Sequence, residues 1–261
     1  MSGDVTSSPV LAGDNHEATR QEVARLGAVL AGLELELTEM RLALSRFEVH
    51  YYERVGQKYL ELDLLLARLA EARAGSSPQD IDLAELARSA RDEARRSSEE
   101  YERFIADPAP PREKAPITGE MKALYRTIAS RIHPDRAVDD ESRTVRTRLM
   151  AELNDAYAHG DRERMEDIAA RWEASSDAFG GPGTAAREQE HLARVAARLR
   201  LRISSMDQEI ARMKRSSLFI LMTQVQQAEK AGRDLLGDLG EEIERKVRTA
   251  RDELDGLGFG G

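Results

Sequence analysis

The sequence contains no cysteine among its 261 residues. Disulfide bonds, thiolate nucleophiles and cysteine-ligated zinc are therefore excluded. Aromatic residues are also scarce, at 5% of the chain with a single tryptophan, Trp172, whereas charged residues make up 33%. Few aromatics and many charges are typical of long, solvent-covered helices and less typical of an enzyme core.

Long apolar segments and a positive charge balance are missing as well. The longest uninterrupted apolar run is LFILM at residues 218–222, whereas a membrane-spanning helix needs about 20 apolar residues. The first seventeen residues have neither a basic leader nor an apolar core, so we expect no secretory signal. The net charge of −9 argues against a dedicated nucleic-acid-binding protein. We therefore expect a cytoplasmic protein that acts on neither membranes nor nucleic acids.

No stretch alternates apolar and polar residues as a half-buried strand does. We predict an all-α fold in which long coiled-coil helices flank a small helical hairpin. From Val23 to Tyr51 the apolar residues recur at alternating spacings of three and four. The next steps, to Val55 and then Tyr59, are four residues each, which is a stutter that locally unwinds a coiled coil. Gly56 lies at the same place and indicates a bend.

A second heptad tract runs from Leu192 to Met213, and a further helix is predicted to begin near Ser216 or Ser217. A long apolar stripe must be covered by a partner helix. Two tracts on either side of a central unit favour an antiparallel hairpin within the chain. A parallel homodimer is the alternative arrangement.

These patterns divide the chain into seven segments. Gly75 to Pro78 breaks the first long helix, and Ser77 is a suitable N-cap for the next one. The predicted segments are a disordered tail (1–17), a coiled-coil helix (18–74), a polar helix (77–106), a proline-rich linker (107–118), a compact helical unit (119–173), a linker rich in glycine, serine and proline (174–186) and a C-terminal helical region (187–257).

The compact unit at 119–173 reads as two antiparallel helices joined by a His-Pro-Asp turn. Its first helix must end close to His133, because proline disfavours helical geometry in the residue before it. Asp139 to Glu141 suit the start of the next helix, where the helix dipole favours negative charge. His159-Gly160-Asp161 then closes that helix and caps a third. The predicted core consists of Leu124, Tyr125, Ile128, Ile132, Met150, Leu153 and Tyr157.

This unit resembles the J-domain of the DnaJ (heat-shock-forty) co-chaperone family. The likeness lies in LYRTIASRIHPDR (124–136) and in the pattern M-x-x-L-N-x-A-Y (150–157) of the following helix. A His-Pro-Asp tripeptide alone is a weak signal, and its specificity comes from the basic helix before it and the Asn-x-Ala-Tyr helix after it. The resemblance is confined to residues 119–173.

The resemblance implies a DnaK-type seventy-kilodalton chaperone as partner. In the family, the His-Pro-Asp turn contacts the ATPase domain of the chaperone and triggers hydrolysis, while a basic helix face docks on an acidic surface. Carried over, His133, Pro134 and Asp135 form the trigger loop. The docking charges, called the basic face below, are Lys122, Arg126 and Arg131. The chain would then be no enzyme and need no cofactor, and its coiled coils would serve oligomerisation or the recruitment of a client.

Alternatives remain open at three points. His133 could stabilise an ordinary turn or act as an acid or base, but no second histidine is spaced for a shared metal site. The short first helix of a J-domain has no counterpart here, so either the coiled coil or helix 78–105 covers that face, or the unit is truncated. The whole chain could also be a structural scaffold whose J-like unit activates no chaperone.

Overall fold

The chain folds as helices and turns in the computed structural model, which describes residues 9–106, 116–175 and 185–258. The all-α prediction is confirmed, and these three ranges contain no strand. The α-helices are α1 (Pro9–Tyr51), α2 (Gln57–Ser76), α3 (Ile81–Ala106), α4 (Gly119–Ile132), α5 (Asp140–Ala158), α6 (Arg162–Glu173), α7 (Ala185–Lys214), α8 (Ser217–Lys230) and α9 (Leu235–Gly256).

Helix starts follow local capping chemistry, with two differences from the expected boundaries. α1 begins at Pro9, inside the segment for which the sequence predicts a tail. α3 begins at Ile81 and not near Ser77, because the side chain of Asp80 accepts the backbone N–H groups of Asp82 and Leu83. The predictions for residues 1–8 and for most of both linkers lie outside the described residues.

The predicted stutter is a π-helical turn. Residues Tyr52–Gly56 form a π-helix between α1 and α2, and a π turn accommodates the extra residue that a four-residue step inserts into a heptad pattern. A Cβ at Gly56 would overlap the ring of Tyr52. Glycine is therefore required here by close approach, since its backbone angles are ordinary helical ones.

The chain forms two compact units. The first unit contains the described residues up to Leu42 together with 116–175 and 185–214, and the second contains 43–106 and 215–258. The J-like segment at 119–173 therefore belongs to the first unit, together with most of α1 and all of α7.

Within the first unit, α1 and α7 pair in the same direction. Ion pairs join Arg20 to Glu188, Glu34 to Arg202 and Arg41 to Glu209, each with the same separation of 168 residues along the chain. A constant separation requires parallel helices, so the antiparallel prediction is wrong, although the pairing is within the chain as expected. The heptad pattern specifies which residues face a partner helix but carries no information about that helix's direction.

Within the second unit, α2 packs antiparallel to α3 and parallel to α9. Gln57 contacts Tyr101 and Glu71 contacts Arg91, so rising numbers in α2 meet falling numbers in α3. In contrast, α2 and α9 are joined by ion pairs at Lys58–Glu244 and Arg73–Glu253. The core of this unit consists of Phe47, Val55, Leu62, Met222, Val225, Leu236, Ile243 and Val247.

Candidate functional site

The trigger loop lies between two well-capped helices. α4 starts at Gly119, where the side chain of Thr118 accepts the backbone N–H of Met121, and ends at Ile132. α5 starts at Asp140, where the side chain of Asp139 accepts the N–H of Ser142 at 2.7 Å. Both boundaries lie where the sequence placed them, because Pro134 ends α4 and the acidic cluster opens α5.

The loop itself is a single 3-10 turn, Pro134–Arg136, held by its own hydrogen bonds. His133 Nδ1 accepts the N–H of Asp135 at 3.1 Å, and the carbonyl of His133 accepts the N–H of Arg136 at 3.0 Å. The guanidinium of Arg136 donates to the carbonyl of Ser130 at 2.5 Å. These bonds fix the loop to the end of α4.

Arg146 supports the trigger loop from α5, a role that the sequence did not reveal. Its guanidinium donates to the carbonyl of Arg131 at 2.9 Å and to that of His133 at 3.4 Å. It also lies 4.3 Å from the centre of the Trp172 ring, a cation–π distance. Arg146 is 7% exposed, whereas the neighbouring apolar residue Val145 is exposed. A charged residue therefore occupies a buried position of α5, on the same helix as the buried apolar residues Met150, Leu153 and Tyr157.

The residues predicted as the core of the J-like segment lie in one cluster, with Leu124 partly buried at its edge. The rings of Tyr125 and Tyr157 meet edge to face at 5.0 Å between centroids. The hydroxyl of Tyr125 donates to Asn154 at 2.6 Å, which accounts for the asparagine of the Asn-x-Ala-Tyr pattern. The other predicted members, Ile128, Ile132, Met150 and Leu153, are buried in the same cluster.

One helix from outside the J-like segment, α1, packs against the core of that segment. Ala31 and Leu35 of α1 belong to the same buried cluster as the residues of α4, α5 and α6. These positions lie outside the heptad stripe that the sequence identified on α1. The sequence left open whether the coiled coil or helix 78–105 packs against this segment. In the structure α1 does so, whereas α3 belongs to the other unit.

His133 points at a carboxylate of α1. Its Nε2 lies 3.4 Å from Oε1 of Glu34, and the residue is 4% exposed. Because Nδ1 already accepts the N–H of Asp135, the ring proton belongs on Nε2, from which it is donated to Glu34. Burial raises the pKa of Glu34, but the hydrogen bond of His133 and the charge and hydrogen bond of Arg202 outweigh that effect and hold the pKa below its ordinary value.

The basic face meets a second carboxylate of the same helix. Lys122 forms an ion pair with Glu39 at 2.6 Å, and the hydroxyl of Tyr157 donates to the same carboxylate at 2.8 Å. Burial raises the pKa of Glu39, but the hydrogen bonds from Lys122 and Tyr157 and the charges of Lys122 and Arg126 outweigh that effect and hold the pKa below its ordinary value. Arg131 is directed elsewhere and pairs with Glu173 at 2.8 Å. The structure thus brings Lys122 and Arg126 to one acidic position and places Arg131 apart from it.

The second unit holds a concave surface that the sequence did not indicate. A groove of about 540 Å³ is lined by Tyr51, Tyr52, Phe104, Leu218 and Leu221 with charged groups at its rim. The rings of Tyr52 and Phe104 stack at 4.4 Å. The LFILM run contributes to this groove and to the core of its unit, with Met222 buried and Ile220 exposed.

Comparison with known proteins adds no relative: no protein-family model, curated protein or solved structure matches this chain. The likeness to J-domains therefore depends on the residues of the trigger loop, the basic face and the core. Within the described ranges, no three side chains of the His, Cys, Asp or Glu types converge as a metal site. None of the helices in those ranges has the length and apolar character needed to cross a membrane.

Proposed function

We propose that this protein is a cytoplasmic J-domain co-chaperone that binds a DnaK-type chaperone and stimulates its ATPase. The observation that supports the proposal is the trigger loop, a rigid turn between antiparallel α4 and α5 beside a row of basic side chains. In this mechanism the ATP and its hydrolysis belong to the partner. The chain contributes a surface that favours one state of that partner.

Electrostatics support the docking half of the proposal. Lys122 already pairs with a carboxylate, that of Glu39 on α1, and the charge of Arg126 acts on the same carboxylate. The same side chains are suited to an acidic surface on a partner. Half-exposed charges of this kind accelerate encounter more than they add affinity, and salt screens them. A transient, salt-sensitive contact is therefore expected.

A second function is favoured by a different observation. His133 is buried and Lys122 is paired within the chain, which suits a helical scaffold whose J-like segment is purely structural. In that case the coiled-coil helices would be the functional surface and no chaperone would respond.

The two functions differ in a single-turnover measurement of ATP hydrolysis by a DnaK-type chaperone. We expect saturating amounts of the protein to accelerate hydrolysis, His133→Gln to abolish the acceleration, and the control His159→Gln, at an exposed histidine of the same segment, to leave it unchanged. Equal stimulation by the wild type and the His133 variant would contradict the co-chaperone function. If neither the wild type nor a variant without the Glu34 and Glu39 carboxylates stimulates hydrolysis, the result favours the scaffold function.

A further inference from the structure

Two carboxylates of α1 contact the two parts of the J-like segment that the proposed function assigns to a partner. Glu34 faces the trigger loop through His133, and Glu39 faces the basic face through Lys122. They lie five residues apart on one helix, and Thr38 between them is buried as well. One helix of the chain therefore presents negative charge to both docking elements at once.

The contact of Glu34 is largely buried and involves residues from two other parts of the chain. The Glu34 side chain is only 12% exposed and lies within 3.4 Å of both His133 and Arg202. Arg202 belongs to α7, so the paired helix holds the carboxylate in place. A second residue of α7 contacts the same loop: the guanidinium of Arg198 donates to the carbonyl of Ala137 at 2.9 Å. A buried carboxylate needs partners for its charge, and Glu34 has two, His133 and Arg202.

The Glu39 contact is more open but has two partners. Its side chain is 36% exposed and accepts from both Lys122 and Tyr157. Tyr157 is the last residue of the Asn-x-Ala-Tyr pattern, so one carboxylate joins the basic face to the core of the segment. Removal of Glu39 would leave Lys122 free to bind another carboxylate.

We infer that α1 is an internal ligand of the J-like segment and competes with the chaperone for the trigger loop and the basic face. This inference rests on the proposed function and names its regulation. While α1 is in place, His133 is inaccessible, so a chaperone binds only the fraction of molecules in which α1 has moved away. The apparent dissociation constant exceeds the intrinsic one by the reciprocal of that fraction.

The J-like segment keeps a core of its own when α1 is displaced. Apart from Ala31 and Leu35, every buried member of its cluster comes from α4, α5 or α6. Separation of α1 from this segment therefore leaves the core residues of α4 to α6 packed together, and sub-global openings of this kind occur in native proteins. The polar contacts of Glu34 and Glu39 also fit this role, because a chaperone with an acidic surface can offer the same groups another carboxylate.

The test combines two measurements on the full chain. The first is the rate at which diethyl pyrocarbonate modifies His133, compared with His159, whose side chain is 46% exposed. We expect His133 to react at least about tenfold more slowly in the wild type, a ratio that corresponds to a closed state favoured by about 1.4 kcal/mol. The double variant Glu34→Gln/Glu39→Gln should raise the His133 rate and leave the His159 rate unchanged.

The second measurement is the affinity for purified DnaK in the presence of ATP. The double variant should bind several-fold more tightly than the wild type, because a larger fraction of molecules is open. Glu36→Gln is the matched control, since Glu36 lies on the same helix but pairs with Lys214 of α7 at 2.8 Å. Glu39→Gln alone, at a half-exposed site, is used if the double variant does not fold.

The outcomes separate the two proposals. A wild-type His133 as reactive as His159, or equal affinities of the wild type and the double variant for DnaK, overturns the internal competition and leaves the co-chaperone function standing. A double variant with a reactive His133 that still does not bind DnaK overturns the co-chaperone function, and the competition with it. Faster modification together with tighter binding supports both.

Discussion

At the scale of single residues, the site depends on charged side chains that are buried with partners. Arg146 connects α5 to the end of α4 through two backbone carbonyls and covers the ring of Trp172. Carbonyl groups at a helix C-terminus have no partner within the helix, so a buried guanidinium satisfies groups that water cannot reach. The position of the trigger loop therefore depends on a residue in another helix.

We predict that Arg146→Met lowers the free energy of unfolding of the first unit by about 2–3 kcal/mol, because two buried carbonyls lose a charged donor. Trp172 is the only tryptophan of the chain and lies beneath the arginine, so its fluorescence during urea unfolding reports on this unit. Arg148→Met is the control, since Arg148 is exposed and pairs only with Glu152 at the surface. Equal effects of the two substitutions would contradict the supporting role of Arg146.

At the scale of elements, α1 is used on more than one face. Its heptad residues Leu30 and Leu37 are fully buried, while Ala31 and Leu35 join the core of the J-like segment. At the other end, the π-helix at Tyr52–Gly56 turns the ring of Tyr52 towards Phe104. A π turn changes the phase of the side chains that follow it, so the residues after it face a different direction from the one that an unbroken helix would give.

We predict opposite effects from two glycine substitutions in the second unit. Gly56→Ala should lower the free energy of unfolding by about 1 kcal/mol, because the new methyl group displaces the Tyr52 ring from its stack on Phe104. Gly75→Ala, in α2 with open space around it, should raise it by about 0.5–1 kcal/mol through helix propensity. Both changes are measured by chemical unfolding followed by circular dichroism. Stabilisation by both would show that the Tyr52 ring imposes no constraint.

At the scale of the whole molecule, helices that were predicted to need a partner find it within the same chain. α1 pairs with α7 in the first unit, and α2 pairs with α9 in the second, in both cases in parallel. These pairings bury much of the heptad stripes, including Leu30, Leu37 and Leu199. The coiled coil that the sequence predicts is an internal one in this structure.

We predict that cysteines introduced at Thr19 and Gln189 form a disulfide within one chain, because the two side chains are hydrogen-bonded at 2.9 Å. The chain has no cysteine of its own, so the two new thiols are the only ones. Cysteines at Thr19 and Met213, at opposite ends of the parallel pair, are the control and should not cross-link. A non-reducing gel distinguishes the results: a covalent dimer, or cross-linking of the control pair only, would contradict parallel pairing within the chain.

Local features were predictable from the sequence because each depends on neighbouring residues. Pro134 ends α4, Asp139 and Asp161 cap the helices that follow them, and the four-residue steps after Tyr51 coincide with the π-helix. The core of the J-like segment was equally predictable, since its apolar residues recur with the period of a helix. The burial of Arg146 in α5 could not be predicted, because a charged residue at a buried position gives no apolar signal.

The sequence by itself determined the all-α class, the ends of α4 and α5, and the rigid His-Pro-Asp turn between them, because backbone geometry, capping and apolar period act over a few residues. Only the tertiary structure decided the direction of the helix pairs and the placement of Glu34 against His133, which lies 99 residues away in the chain. No local rule selects that partner. The physical reason is that a carboxylate on a helix looks the same in sequence whether it faces water or a buried histidine, and only the packing of α1 against the J-like segment distinguishes the two.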